Sequence, residues 1–158
     1  MVIVEGVRFG VVMDGKRLTG TEQKGISTLA ELAWSPDSRA FFITESYGGA
    51  VGDWHVWIYV IQGATLRFHH VTQEVVKQFK KHYQCEEPEE PNVGAVTWVK
   101  DSAQLLVVAE VPPHSTCPEM GKVRGYIVEV PTGKIVEEFD QKELRARWGR
   151  YLGQRFAK

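Results

Sequence analysis

Two cysteines, each preceded by a histidine three positions earlier, are the residues of this sequence best suited to metal or redox chemistry. They occur in His82-Tyr83-Gln84-Cys85 and His114-Ser115-Thr116-Cys117. Two thiolates and two imidazoles are suitable zinc ligands, although the Cys-x-x-Cys pairs typical of structural zinc sites are missing. A disulfide would instead close a loop of about 32 residues and contribute roughly 3 to 4 kcal/mol to stability. A third possibility is two free thiols.

The serines, histidines and carboxylates do not form a recognisable catalytic pattern. No serine stands in a Gly-x-Ser-x-Gly elbow, and the adjacency of His114 and Ser115 in sequence does not make a catalytic dyad. Glu45, Asp53 and Glu110 flank expected loops, but the sequence does not give the separation that paired glycosidase acids need. We therefore expect a protein that is not an enzyme and that holds neither a cofactor nor a metal.

The predicted strands and turns that position these residues form an internal repeat with two copies. The segment 32–43 is similar to 96–107, and Trp34 and Trp98 stand about 64 positions apart, a spacing that indicates an internal repeat. Each unit alternates apolar stretches with turn residues, which predicts four antiparallel strands. The predicted strands cover 29–35, 40–44, 54–61 and 65–71 in the first unit, and 95–99, 104–111, 123–130 and 134–139 in the second.

A short helix is predicted after each set of strands. One begins at Thr72, and the other at Asp140, where Glu143 completes a capping box. The expected fold is therefore mainly β with two short helices, as two repeated antiparallel blade-like sheets, each followed by a helix. We expect a single domain over residues 1–158, with repeats at about 26–84 and 93–152 and an N-terminal hairpin over 2–19. Trp34 and Trp98 are expected to pack between the sheet and the helix of their own units.

The first tight turn carries a family resemblance. Trp34-Ser35-Pro36-Asp37-Ser38-Arg39, followed by an apolar strand, resembles the repeat of TolB-like β-propeller proteins, which has Trp-Ser-Pro-Asp-Gly-Lys before a hydrophobic strand. The resemblance implies that each unit is a four-stranded blade. The chain departs from the pattern at Ser38 and Ser102, which replace the usual glycine, at Val99-Lys100, which replaces Ser-Pro, and in its longer period. Two blades do not close a propeller, and a blade does not specify a function.

Two loops at equivalent positions are the predicted site. Loops 46–54 and 112–122 join the second and third strands of their units, so they emerge at the same sheet edge and are expected to be neighbours. The residues predicted to bind a partner are Tyr47, Trp54, His114, Ser115 and Met120. Because binding loops combine such residues on rigid strands, we predict a non-catalytic protein-interaction domain, possible forms being an inhibitor or an immunity-type protein of bacteria. The alternative is an oligomeric propeller fragment that stacks sugars on Tyr47, Trp54 and Trp57, or acts as a hydrolase.

The expected strand order also bears on the two cysteines. The segment before the second unit's first strand and loop 112–122 lie at the same end of that sheet. Cys85 and Cys117 can therefore approach each other, and we predict that they form a disulfide in an oxidising compartment.

Charge and hydropathy restrict the partner and the compartment. The formal net charge of −1 and the pI near 6.5 argue against a nucleic-acid partner, and no apolar run is long enough to span a membrane. Residues 1–9 lack the pattern of a signal peptide, yet the chain opens within a strand-like stretch, so an extracytoplasmic location after a removed signal is favoured over the cytoplasm. The basic C-terminal helix is interpreted as a solvated face, with an electrostatic partner site as the alternative.

Overall fold

The N-terminal strands form a small sheet of their own. The computed structural model describes residues 2–5, 8–20, 29–47, 52–83, 85 and 89–153. Strands β1 (Val2–Glu5), β2 (Arg8–Met13) and β3 (Lys16–Arg17) pair antiparallel in chain order. Asp14 and Gly15 connect β2 to β3 with φ angles of 51° and 77°. Both angles are positive, as a two-residue hairpin turn that follows the strand twist requires.

Two four-stranded meanders follow, and they confirm the predicted fold class. Sheet one consists of β4 (Leu29–Trp34), β5 (Ala40–Ser46), β6 (Trp54–Gln62) and β7 (Thr65–His70). Sheet two consists of β8 (Asn92–Val99), β9 (Gln104–Glu110), β10 (Val123–Glu129) and β11 (Lys134–Phe139). Neighbours along the chain pair antiparallel throughout. The observed strands differ from the predicted ones only at their ends, and most clearly at β8, which begins at Asn92 instead of Ala95.

Each sheet is followed by a helix, as predicted. Helix α1 (Val71–Phe79) follows sheet one, and α2 (Gln141–Trp148) follows sheet two and continues into a 3-10 helix, Gly149–Tyr151. The capping box at Asp140 is confirmed: its carboxylate accepts from the Glu143 N–H at 2.8 Å, and the Glu143 carboxylate accepts from the Asp140 N–H at 3.1 Å. None of the described helices has the length and apolar character needed to cross a membrane.

The sheets stack face to face. Alternate residues of a strand point to opposite faces, so each sheet has two faces that can contact different layers. One face of sheet one, with Phe41, packs against Phe9 and its neighbours from the N-terminal strands. The other face, with Phe42, packs against Val107 and its neighbours in sheet two. The far face of sheet two, with Leu106, is covered by α2. Helix α1 contacts both β6 and the strands of sheet two, so it fills the space between the sheets.

Trp34 and Trp98 hold equivalent positions, but the expected packing against their own helices is wrong. Trp34 packs against Phe41, with ring centroids 4.9 Å apart, in the cluster formed with the N-terminal strands. Trp98 lies 5.7 Å from the ring of Phe42, in the cluster between the two sheets. Each indole therefore faces the preceding layer of the stack. The helices follow the last strand and pack on the opposite face, which a strand pattern alone does not show.

Candidate functional site

Loop 46–54 has an aromatic residue near each end, and the two residues lie on opposite faces of sheet one. Residues 48–51 lie outside the described residues. Tyr47 is on the face turned towards the N-terminal strands; it is 65% exposed, and its hydroxyl donates to Glu45 Oε1 at 2.8 Å. Trp54 begins β6 on the face turned towards sheet two and is half-buried. The loop therefore presents its two predicted contact residues in different directions.

Tyr47 belongs to a polar cluster that the sequence did not predict as a group. Glu45 is only 1% exposed and is the register partner of His55 on β6. The ring of Tyr47 lies 5.5 Å from that of His55, and the His70 ring lies 5.8 Å further along the same face. A single acidic residue within a strand of apolar and hydroxyl residues is the signal that could have located this cluster.

The pKa of Tyr47 bears on whether this cluster could act as a general acid or base. Desolvation first, and then the hydrogen bond and negative charge of Glu45, raise the pKa of Tyr47 to about 12. A general acid or base works best with a pKa near the operating pH. Tyr47 instead stays protonated at neutral pH and holds the end of loop 46–54 against Glu45.

Loop 112–122 is a compact, internally hydrogen-bonded loop. Its ends are joined by the Val111 N–H to the Lys122 carbonyl at 2.9 Å, and by the Gly121 N–H to the Val111 carbonyl at 3.0 Å. Ser115 is buried, and its hydroxyl accepts from the Cys117 N–H at 3.0 Å, so its side chain fixes the loop's shape. His114 and Met120 are exposed to solvent, and Met120 is 52% exposed.

A disulfide anchors this loop. Cys85 and Cys117 are bonded, with their Cα atoms 5.3 Å apart, which confirms the predicted pairing. Both thiols are consumed by the bond, so they cannot supply thiolates to zinc. The bond ties the middle of loop 112–122 to the segment that follows α1.

One groove lies between the last residue of loop 46–54 and the end of the strand that precedes loop 112–122. It has a volume of about 260 Å³, and it is lined by Trp54, the last residue of loop 46–54, and by Glu110, two residues before loop 112–122. The remaining lining residues are the start of β8 and one residue of β9: Asn92, Val93, Gly94, Ala95, Val96 and Val108. Sequence reasoning identified Trp54 but missed the β8 residues. Small side chains leave the space open, and a Cβ placed on Gly94 would meet no atom within 4 Å.

The five residues predicted to bind a partner thus differ in their surroundings. Trp54 lines the groove, His114 and Met120 stand in solvent on the second loop, Tyr47 lies on the opposite face of sheet one, and Ser115 is buried. Comparisons of the chain with protein-family models, with curated proteins and with solved structures found no significant match. The site must therefore be interpreted from its own geometry.

Proposed function

We propose that this protein is a non-catalytic interaction domain that binds a partner protein at the edge formed by loops 46–54 and 112–122. The observation that carries the proposal is the groove between the sheets, because Trp54 from one loop and Glu110 beside the other line it together. Its walls are mostly apolar, with Asn92 and Glu110 as polar groups. A pocket of this kind accepts an apolar side chain and orients it through a few polar contacts.

The second loop adds a rigid contact surface beside the groove. The disulfide and the hydrogen bonds between Val111 and Lys122 restrict its backbone, so little conformational entropy is lost when a partner contacts His114 and Met120. Exposed residues on such a preorganised loop favour a binding role over a purely connecting one.

The proposal includes two TolB-like blades and an oxidising compartment. The four-stranded meanders stack face to face, and the turn that resembles the TolB-like repeat and its counterpart in sheet two both connect the first strand of their sheet to the second. A disulfide persists in compartments outside the reducing cytosol, which favours an extracytoplasmic location. An inhibitor or immunity-type protein is one form that such a domain takes.

The sugar-binding alternative has less support from the aromatic residues. Trp54 and Trp57 are separated by an odd number of positions on β6, so they face opposite sides of sheet one. Trp57 is also stacked on His70, with ring centroids 3.9 Å apart. These rings do not form one platform for a sugar face.

Site-specific photo-crosslinking tests the proposed surface. A photoreactive amino acid is introduced at Trp54, His114 or Met120, and, as controls, at Phe68 or Val136, which are each 52% exposed like Met120. We expect one partner protein to be crosslinked from the loop positions and not from the controls. Equal crosslinking from both sets would contradict the proposal.

The affinity of the partner found in this way is then measured. Trp54→Ala should weaken binding by about tenfold or more, because truncating a central aromatic contact costs over 1 kcal/mol. Gly94→Val should do the same by filling the groove, since the added side chain meets open space. Val136→Ala is the matched control on β11. If both groove variants bind with unchanged affinity while circular dichroism shows them folded, the groove is not the site.

A further inference from the structure

A second concave surface lies where three segments meet on the other side of loop 112–122. It has a volume of about 440 Å³ and is lined by residues that follow α1, end loop 112–122 and begin α2: Tyr83, Lys122, Asp140, Gln141, Lys142 and Arg145. None of these residues lines the groove of Trp54 and Glu110. We refer to it as the basic pocket.

Three cations surround the basic pocket, and none has an anionic partner in the described part of the chain. Lys122, Lys142 and Arg145 form no ion pair with a described residue. Two cations elsewhere are paired with carboxylates: Arg147 contacts Glu137 at 2.6 Å, and Lys80 contacts Glu90 at 2.6 Å.

Asp140, whose carboxylate lines the pocket, is already hydrogen-bonded as the cap of α2. Its carboxylate accepts from the Glu143 N–H. The amide of Glu143 is therefore not available to an anion in the pocket.

The cations are presented by a fixed frame. Lys142 and Arg145 are one helical turn apart and lie on the same side of α2. The backbone of Lys122 is held by hydrogen bonds to Val111 and Glu119. Tyr83 packs on the ring of Phe79, with centroids 4.9 Å apart.

Gln141 and the disulfide complete this frame. The Gln141 side chain accepts from the Val123 N–H at 3.3 Å. The disulfide joins Cys85, two residues after Tyr83, to Cys117 in the loop that ends at Lys122. The pocket is thus assembled from both repeats and kept together by a covalent bond.

We propose that the basic pocket binds a small polyanion, a ligand with at least two carboxylate or phosphate groups. Three positive charges against one occupied carboxylate leave the pocket electropositive, and a concave shape concentrates that field. The Arg145 guanidinium has the planar fork that pairs with carboxylate and phosphate oxygens, whereas the lysines act as point charges. Because the cations come from separate segments around the pocket, a ligand with several anionic groups contacts more of them than a single small ion does.

Isothermal titration of the intact, oxidised protein with citrate and with pyrophosphate tests this proposal. We expect saturable binding of one or both probes. Binding of citrate alone would assign a polycarboxylate ligand, and binding of pyrophosphate alone a phosphate ligand. Arg145→Gln and Lys142→Gln, both at exposed positions, should each weaken binding by about tenfold, and Lys122→Gln should weaken it as well.

Matched controls separate the pocket from general electrostatic attraction. Lys100→Gln and Lys134→Gln remove the same charge from exposed positions on tight turns or strand ends elsewhere, and they should leave the affinity unchanged. Equal weakening by these controls, or no saturable binding up to about 10 mM of either probe, would overturn the proposal. Binding of a hexaglutamate peptide but of neither small probe would also overturn it, and would make the pocket a docking surface for an acidic protein segment.

Discussion

Ser38 and Ser102 occupy equivalent positions in the tight turns of the two repeats, and both have a left-handed backbone. Their φ angles are 58° and 78°, in a region that costs a residue with a Cβ about 1 to 2 kcal/mol. A glycine at either position would avoid this cost. Ser102 differs from Ser38 because it is buried and its hydroxyl accepts from the Asp37 N–H at 3.1 Å, which joins the two turns.

This difference predicts unequal consequences for the same substitution. Ser38→Gly should raise the free energy of unfolding by up to about 1 kcal/mol, since the relieved strain exceeds the added freedom of the unfolded chain. For Ser102→Gly the gain in the free energy of unfolding should be smaller by about 1 kcal/mol, because the substitution also removes one hydrogen bond. Urea unfolding of both variants measures the two changes. Equal effects would show that the hydroxyl of Ser102 contributes nothing to the contact between the turns.

At the scale of elements, the position of α2 depends on a glycine in the strand beneath it. A Cβ on Gly125 of β10 would lie 2.5 Å from Leu144 Cδ1 and 3.3 Å from Phe139 Cδ2. Leu144 is fully buried, so its side chain has little space into which it can move. The absence of a side chain at position 125 therefore sets how closely α2 approaches sheet two.

Gly125→Ala should lower the free energy of unfolding by about 1 to 3 kcal/mol, as overpacking of a filled core does. Gly149→Ala is the matched control, because a Cβ there would meet no atom within 4 Å and the φ of −48° is helical. In a double-mutant cycle, Gly125→Ala should cost less in a Leu144→Ala background than alone. If the losses of stability caused by the two substitutions simply add, a side chain at position 125 does not clash with Leu144.

At the scale of the whole molecule, the stack of layers is held by apolar cores and by one covalent link in its described part. The central core combines Phe42 of sheet one, Phe79 of α1 and Val107 of sheet two. The Cys85–Cys117 disulfide joins the segment after α1 to the loop between β9 and β10. It therefore connects the end of the first repeat to the second and braces both proposed surfaces.

Reduction of the disulfide should lower the free energy of unfolding by about 3 to 4 kcal/mol, because the unfolded chain gains the freedom of the opened loop. Urea unfolding with and without dithiothreitol measures this loss. The double variant Cys85→Ser, Cys117→Ser is the control, and its stability should not respond to the reductant. Two free thiols per chain in unfolded, unreduced protein, or an unchanged stability on reduction, would contradict the prediction.

The sequence by itself determined the local structure and the disulfide. Strand alternation, the turn residues at Asp14-Gly15 and the capping box at Asp140 act over a few neighbouring residues, so their effects can be predicted from the sequence. The pairing of Cys85 with Cys117 followed from the strand order, because a meander places both at one end of sheet two.

Only the tertiary structure decided which layer each sheet face contacts. Alternation gives a strand two faces but does not say what covers either one, so the partners of Trp34 and Trp98 were assigned to the wrong layer. The groove at Gly94 and the basic pocket are also spaces between elements. Their shape depends on how closely the sheets and helices pack, which no single segment of the sequence specifies.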